Sequence, residues 1–258
     1  MIPTECPWRD TLYWYDTVDS TNSLAKQAAA KGAPQGTVIV AGHQSAGRGR
    51  LGRSFHSPGN KGLYFSAILR PECKPEALMH LTCAVGTAVC DAIEEVSDYR
   101  PGLKWINDLV AGKKKLGGIL TELQIDPATQ LVSSAIIGIG INCLHTTEDF
   151  PQELQGIATS IYAATGKSVS PWVLAAAVTK TLWKLSATLL DTPEALMKRY
   201  RKDCITLGQD IVLIRGDEKR YGRAIGIDNT GSLLVQFENH VEAVNSGEVS
   251  IRGMYGYV

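Results

Sequence analysis

The sequence predicts an α/β protein in which a mixed sheet with flanking helices is followed by a small β-barrel. Apolar runs with strand character alternate with helical periodicity as far as about residue 207, and only short β-like runs follow. The 258 residues are 44% hydrophobic and 20% charged, which is an ordinary globular composition. We therefore expect a large domain over residues 1–207 and a barrel over residues 208–258.

The first part of the chain contains two expected helices and two expected strands. Residues 19–22 are N-cap formers and precede an alanine-rich run that ends at Gly32, which predicts a helix. Apolar residues at spacings of three and four predict a second, long helix over residues 75–96. The expected strands are 37–41 and 63–69, and the Gly- and Arg-rich segment 44–62 separates them.

A β-rich middle, two helices and the barrel strands are expected in the rest of the chain. The run 131–139 is apolar enough for a strand that is covered on both faces. Pro193 suits the first position of a helix that reaches about residue 203. The other elements are a strand at 103–105, a hairpin over 109–123, a helix at 171–190, and barrel strands at 211–214, 221–227, 233–237, 241–244 and 249–251, with a turn at 245–247.

Charge, hydropathy and cysteine content exclude several classes of protein. Basic and acidic side chains balance at 26 each, which argues against nucleic acid or an anionic membrane as the main partner. No run approaches the roughly 18 apolar residues of a membrane span, and the N-terminus lacks the pattern of a signal peptide. The six cysteines form no Cys-x-x-Cys motif and no cluster with zinc spacing. Cys83 and Cys90 lie seven apart on an expected helix, so we expect them to be buried thiols and the protein to be cytoplasmic.

The most informative feature is a basic, glycine-rich segment. No acidic residue occurs between Asp19 and Glu72, and the centre of this interval is the run Gly47-Arg48-Gly49-Arg50-Leu51-Gly52-Arg53. Its glycines allow a ligand to approach the backbone, and its arginines offer planar forks for phosphate or carboxylate oxygens. A solvated basic loop, or one that contacts RNA, explains the composition equally well.

A second acid-free stretch places Lys115 at the start of an apolar strand that contains Gly117 and Gly118. By strand alternation, Lys115 points to the same face as Gly117, and the two glycines leave room for a ligand. The alternative is an edge lysine that protects the strand from aggregation.

A third feature is the run Gly138-Ile139-Gly140-Ile141-Asn142, in which glycines alternate with isoleucines. This pattern predicts a groove on one face of a buried strand, with the polar Asn142 at the strand end; a bulge is the other interpretation. The spacing is not that of a dinucleotide-binding loop. The sequence also contains neither a Walker phosphate loop nor a nucleophile elbow, so covalent serine chemistry has no support.

Together these segments resemble the biotin protein ligase family from about residue 14 to the C-terminus. The matching runs are Asp19-Ser20-Thr21-Asn22, 44–53, Lys104-Trp105-Ile106-Asn107-Asp108, 115–122 and 138–142. The resemblance implies a class II synthetase-like catalytic domain followed by an SH3-like barrel. It also implies that biotin and ATP form biotinyl-5′-adenylate and pyrophosphate, after which biotin passes to a lysine of a biotin carboxyl carrier protein domain.

The resemblance also implies roles for individual residues. Lys115 and Arg50 are the catalytic candidates, because joining a carboxylate to a triphosphate requires fixed positive charge. The residues expected at biotin are Ser20, Thr21, Asn22, Gln44, Gly47, Arg48, Gly49, Arg50, Lys115, Gly118 and Gly138. Those expected at ATP are Arg48, Arg50, Arg53 and Asn142. Mg²⁺ would bridge the phosphates, with Asp108 or Asn142 as its candidate ligands.

One residue departs from the family pattern: Ile106 stands where proline is common, which bears on the placement of Asn107 and Asp108. Only about 19 residues precede Ser20, too few for the winged helix-turn-helix of some family members. We therefore expect a monofunctional ligase without specific DNA binding. Whether the chain forms a homodimer is left open.

Two other functions compete with biotin ligation. A lipoate or octanoate protein ligase shares the catalytic architecture, but its acyl chain needs a long apolar tunnel, and the Gly-Arg-Gly-Arg run weighs against it. A biotin-binding regulator without catalysis is the rival from a different class.

Overall fold

A seven-stranded mixed sheet organises the larger part of the chain, of which the computed structural model describes residues 1–245 and 249–253. Its strands are β1 (Leu12–Val18), β2 (Val38–Gln44), β3 (Gly62–Leu69), β4 (Gly102–Lys104), β5 (Asp108–Ala111), β6 (Lys114–Ile125) and β7 (Val132–Asn142). The strand order is β1-β2-β3-β7-β6-β5-β4. Strands β1 and β2 are parallel, and the other neighbours are antiparallel. The predicted mixed sheet is confirmed, although the edge strand β1 was not anticipated.

Helices cover both faces of the sheet. They are α1 (Thr21–Ala30), α2 (Leu81–Ser97), α3 (Ile161–Thr165), α4 (Pro171–Ser186) and α5 (Pro193–Asp203). Ile136 of β7 packs in a small cluster with Ala25 and Ala29 of α1, whereas its neighbours Ala135 and Ile137 belong to the main core. Because alternate residues of β7 lie in two clusters, this strand is covered on both faces, as its apolar run predicts.

The helix predicted over residues 75–96 forms as two elements. A 3₁₀ turn spans Pro75–Leu78, and α2 begins only at Leu81. Between them His80 is buried and donates from Nε2 to the carbonyl oxygen of Leu189 at 2.9 Å, which anchors the junction. Pro75–Ser97 is the one helical stretch of the described residues with the length and hydropathy of a membrane span, and 72% of its most apolar window is buried inside the protein. Core packing accounts for that hydropathy.

The C-terminal unit is a separate five-stranded antiparallel sheet. Its strands are β8 (Asp210–Arg215), β9 (Glu218–Ile227), β10 (Leu233–Gln236), β11 (Val241–Val244) and β12 (Val249–Gly253), in the order β11-β10-β9-β8-β12. The five predicted strands are all present, in a small SH3-like arrangement. Residues 246–247 of the predicted turn and 254–258 of the predicted barrel lie outside the described residues.

Hydrogen bonds join the two units at the turn that follows β4. The Trp105 backbone N–H donates to Thr206 Oγ1 at 2.9 Å, and its indole Nε1 donates to the carbonyl oxygen of Gly231 at 2.9 Å. Arg201 of α5 donates from Nε to the carbonyl oxygen of Ile227 at 2.6 Å. The C-terminal sheet therefore holds the turn that leads into Asp108.

All six cysteines are free thiols, and five of them are buried. The exception is Cys73, which is half-buried. The expectation that Cys83 and Cys90 are buried thiols is therefore confirmed.

Candidate active site

A cavity of about 760 Å³ lies between the start of α1, the Gly/Arg loop, strands β6 and β7, and the segment that follows β7. Thirteen of the fourteen residues that the sequence singles out for ligand or metal contact line it: Ser20, Thr21, Asn22, Gln44, Arg48, Gly49, Arg50, Arg53, Asp108, Lys115, Gly118, Gly138 and Asn142. The fold thus gathers four separate sequence segments around one space.

Gly47 completes this set of fourteen residues, and it is the one member that does not line the cavity. A side chain at Gly47 would lie 2.5 Å from the carbonyl oxygen of Phe55 and 2.7 Å from Ser57 Oγ. The glycine therefore allows the loop to fold back on itself, and it lines a second space of about 550 Å³ that the loop forms with Leu120, Thr121 and Glu122.

A hydrogen-bonded row of neutral side chains forms one end of the cavity. Thr21 donates to Gln44 Oε1 from both its backbone N–H, at 2.9 Å, and its hydroxyl, at 3.1 Å. The buried Ser66 hydroxyl lies 2.8 Å from Thr21 Oγ1 and 2.6 Å from Asn22 Oδ1. Ser20 is the N-cap of α1 and accepts from the Ser23 N–H at 3.5 Å. This end of the cavity is polar and uncharged.

Neighbouring side chains occupy the space beside the two glycines of β7. A Cβ at Gly138 would lie 2.1 Å from Asn22 Oδ1, and one at Gly140 would lie 2.6 Å from the Phe55 ring. The groove that the glycine–isoleucine alternation predicts therefore exists, and the side chains of Asn22 and Phe55 occupy it. Gly138 makes room for the ligand-facing amide of Asn22.

The other end of the cavity is charged. Lys115 Nζ donates to Asp108 Oδ1 at 2.6 Å, with both side chains partly exposed to the cavity. The Lys115 backbone is fixed to the segment after β7, because its N–H donates to the Ile157 carbonyl oxygen at 2.7 Å and its own carbonyl oxygen accepts from the Thr159 N–H at 2.8 Å. The ammonium group is thus held beside a carboxylate on a rigid strand.

The expectation that Lys115 shares a face with Gly117 is wrong. The register between β5 and β6 shifts, so that Val110 pairs with Lys115 while Leu109 pairs with Gly117. A residue inserted by such a bulge reverses the alternation of faces. The Lys115 ammonium instead lies 3.5 Å from the position of a Cβ at Gly118, which is an ordinary contact distance.

The Gly/Arg loop forms a short turn over the cavity. Arg48 and Ser54 form a β-bridge, and Arg50–Gly52 is a 3₁₀ turn in which Leu51 has a positive φ of 57°. Arg50 donates from Nη1 to Asn107 Oδ1 at 3.1 Å. Burial lowers the pKa of the Arg50 guanidinium, and the charge of Asp108 opposes that shift.

Asn107 and Asp108 reach the cavity although isoleucine replaces the family's usual proline before them. The peptide bond between Trp105 and Ile106 is cis. The Ile106 carbonyl oxygen accepts from the Tyr200 hydroxyl at 3.3 Å, and the Asn107 side chain donates to the Ile119 carbonyl oxygen at 3.1 Å. These bonds, with those of Trp105, fix the turn from both sides.

Sequence reasoning did not select several residues that contribute to the site. Lys104 is 6% exposed and lines the cavity, and Phe55 and Trp105 form parts of its wall. Ser66 is fully buried behind Thr21 and Asn22. A lone serine in an otherwise apolar strand was the available indication for Ser66, because a buried hydroxyl requires hydrogen-bond partners.

His145 lies close to the cavity wall and is fully buried. Its ring stacks on Phe150 with centroids 5.0 Å apart, and both of its ring nitrogens lack a hydrogen-bond partner among the described residues. Burial lowers the pKa of His145 to about 4. Nearby, a hydrogen bond from Lys61 lowers the pKa of Asp149 to about 2.

Comparison with known proteins identifies the family of this site. The biotin/lipoate A/B protein ligase family matches residues 14–142, and the biotin protein ligase C-terminal domain matches residues 206–252. The bifunctional ligase/repressor BirA of Bacillus subtilis is 34% identical over 246 residues, which are 93% of this chain and 74% of the relative. The biotin–[acetyl-CoA-carboxylase] ligase of Mycobacterium tuberculosis is 30% identical over 89% of this chain and 85% of its own.

Solved structures lead to the same family. The biotin protein ligase from Aquifex aeolicus in complex with biotin and ATP superposes with a TM-score of 0.80 at 32% identity, over 94% of this chain and 99% of that one. The biotin protein ligase from Leishmania major in complex with biotinyl-5-AMP gives a TM-score of 0.65 at 25% identity, over 92% and 99% of the two chains.

Proposed function

Because the chain belongs to the biotin/lipoate A/B protein ligase family, we propose that it is an ATP-dependent biotin protein ligase. The observation that carries the proposal is the polarity of one cavity. A neutral hydrogen-bonding end, built from Thr21, Asn22 and Gln44, faces a cationic end that contains Lys115 and Arg50. Biotin has the same polarity, with an uncharged ureido ring at one end and a carboxylate at the other.

In the first step the biotin carboxylate attacks the α-phosphorus of ATP, a phosphorus–oxygen bond to the leaving pyrophosphate breaks, and biotinyl-5′-adenylate forms. Lys115 binds the biotin carboxylate and stabilises negative charge on the phosphoryl oxygens; the support for this role is that its ammonium is held by Asp108 at the charged end of the cavity. Arg50 binds the phosphate with its guanidinium fork, and Asn107 orients that fork. Arg48 and Arg53 contribute further positive charge.

In the second step an acceptor lysine amine attacks the acyl carbon, AMP leaves, and an amide forms. We propose that the acceptor is a lysine of a biotin carboxyl carrier protein domain, in line with the family. The Gly/Arg loop would cover the adenylate between the two steps, since a mixed anhydride hydrolyses in water.

Mg²⁺ is the metal expected with ATP, and the site offers oxygen ligands for it. Asp108 presents a carboxylate to the cavity, and Asn142 presents its amide oxygen because its Nδ2 donates to the Thr159 carbonyl oxygen at 2.9 Å. The described residues contain no group of three or more His, Cys, Asp or Glu side chains that could hold a metal alone. This fits a cation that takes one or two protein ligands and binds mainly to phosphate oxygens. Bound there, Mg²⁺ would neutralise phosphate charge.

The test is incubation of the protein with ATP and Mg²⁺ and either biotin or lipoate, followed by mass spectrometry. We expect biotinyl-5′-adenylate and pyrophosphate in the biotin reaction. Formation of lipoyl-adenylate alone would favour the lipoate ligase, and binding of biotin without any adenylate would favour a non-catalytic regulator.

A further inference from the structure

Behind the neutral end of the cavity lies an ion pair that does not line the cavity itself. Lys26 of α1 forms a salt bridge with Glu122 of β6, and Glu122 Oε2 accepts a hydrogen bond from Asn22 Nδ2 at 2.9 Å. Asn22 is 4% exposed and faces the cavity. Glu122 also lines a second space that it forms with the Gly/Arg loop, and its hydrogen bond to Asn22 connects it to the lining of the main cavity.

Two fixed acceptors determine how the Asn22 amide is oriented. Asn22 Nδ2 faces both the Glu122 carboxylate and the carbonyl oxygen of Leu120, which is 3.4 Å away. A carboxylate and a carbonyl can only accept hydrogen bonds, so the NH₂ group must point toward them. The amide oxygen then points toward Ser66 and toward the space above Gly138.

A count of protons shows what this arrangement offers to a ligand. Both N–H groups of Asn22 are directed at Glu122 and Leu120. Thr21 and Ser66 have one hydroxyl proton each, and both protons lie among the oxygens of Gln44, Thr21, Ser66 and Asn22. Asn22 and Thr21 consequently present acceptor lone pairs to the cavity, and a ligand must supply the donors.

We propose that Glu122, held by Lys26, is a positioning residue that fixes the Asn22 amide so that the neutral end of the cavity selects an acid whose head group donates N–H. The inference rests on the proposed function and deepens it. A ureido ring supplies such donors. A dithiolane or plain alkyl head supplies none, and it would leave buried acceptors unpaired, which costs affinity.

The experiment measures the dissociation constants of biotin and of two cyclic carbamate analogues, in each of which oxygen replaces one ring N–H. We compare the wild-type protein with Glu122→Leu, which removes the acceptor, and with Glu122→Gln, which keeps the size and one acceptor oxygen. In Glu122→Leu we expect biotin to bind at least tenfold more weakly, while at least one analogue loses less than threefold. Glu122→Gln should change the ratio of the biotin to the analogue dissociation constant in the same direction, by a smaller factor.

The ratio between biotin and analogue separates positioning from a merely structural role, which would weaken all three ligands alike. Glu95→Leu is the matched control, because Glu95 of α2 forms a comparable salt bridge with Lys180 of α4 and does not line the cavity. Glu95→Leu should leave the dissociation constants of biotin and of both analogues unchanged. The proposal would be overturned if folded Glu122→Leu had the same ratio of biotin to analogue dissociation constants as the wild type, for both analogues. Absence of biotinyl-adenylate synthesis by the wild type would instead reject the proposed function.

Discussion

Lys115 Nζ and Asp108 Oδ1 lie 2.6 Å apart across the β5–β6 hairpin, at the cationic end of the cavity. The carboxylate holds the ammonium in place before a substrate carboxylate arrives, so the positive charge needs little reorganisation during the reaction. The same carboxylate is the candidate ligand for Mg²⁺. One short contact thus connects the residue proposed to bind biotin's carboxylate with the residue proposed to approach the metal.

Lys115→Ala should lower the rate of adenylate synthesis by about 10²- to 10³-fold, the range measured when one oxyanion-stabilising donor is removed. Biotin affinity should change much less, because the charge acts mainly in the transition state. The measurement is single-turnover adenylate formation together with biotin titration. Lys114→Ala is the control, since Lys114 donates to the Gln155 carbonyl oxygen at 3.0 Å and does not line the cavity. Near wild-type synthesis by Lys115→Ala would exclude Lys115 from catalysis.

Arg50→Lys should still form the adenylate but release it early. Arg50 donates to Asn107 and is proposed to bind the phosphate with the same planar fork, which a lysine cannot reproduce. Released adenylate acylates any nearby amine, so biotin label on a bystander protein should rise at matched adenylate production. Arg223→Lys, at an exposed site in the C-terminal sheet, is the control. Equal bystander labelling in mutant and wild type would transfer the retention role to Arg48 or Arg53.

Residues 44–62 should exchange amide hydrogens more slowly once biotin and ATP are bound. The segment is anchored at its start by Gln44 and in its middle by Phe55, whose ring lies against β7, but Leu51 between them is 52% exposed. Ligand phosphates that contact the arginines would order the tip. Hydrogen exchange with and without ligands measures this, and the turn at 126–130 serves as the internal reference. Unchanged protection across 44–62 contradicts the prediction.

His145 should make the protein less stable in mild acid. Its pKa is lowered to about 4 by burial, so the unfolded chain takes up a proton near the ordinary pKa of 6.5 and the folded chain does not. Stability is therefore lost as pH falls from about 6.5 toward 4, by about 2 kcal/mol between roughly pH 7 and pH 5. Asp149, with a pKa of about 2, acts only below that window.

Denaturant unfolding of the wild type and of His145→Leu at both pH values measures this effect. The free energy of unfolding of His145→Leu should fall by about 2 kcal/mol less than that of the wild type between the two pH values. His240→Leu is the control, because His240 is exposed in the C-terminal sheet. An identical pH dependence in wild type and His145→Leu would show that His145 does not titrate on unfolding.

The sequence by itself predicted most of the helices and strands and thirteen of the residues that line the cavity. Hydrophobic periodicity depends on local spacing, so β7 and the barrel strands could be recognised directly. The Gly/Arg loop and Lys115 were found because unusual composition and resemblance identify them without coordinates. The edge strand β1 was missed, although Leu12–Val18 is rich in aromatic and β-branched residues.

Only the tertiary structure decided which groups touch. The bulge in β6 placed Lys115 beside Gly118 and not on the face of Gly117, because a one-residue insertion reverses alternation and no local residue pattern requires it. Gly138 proved to accommodate Asn22, which is remote in the sequence. The Glu122–Asn22 bond joins residues a hundred positions apart, and such a contact depends on the pairing of α1 with the sheet. Long-range hydrogen bonds of this kind follow from packing, and packing is a property of the folded chain as a whole.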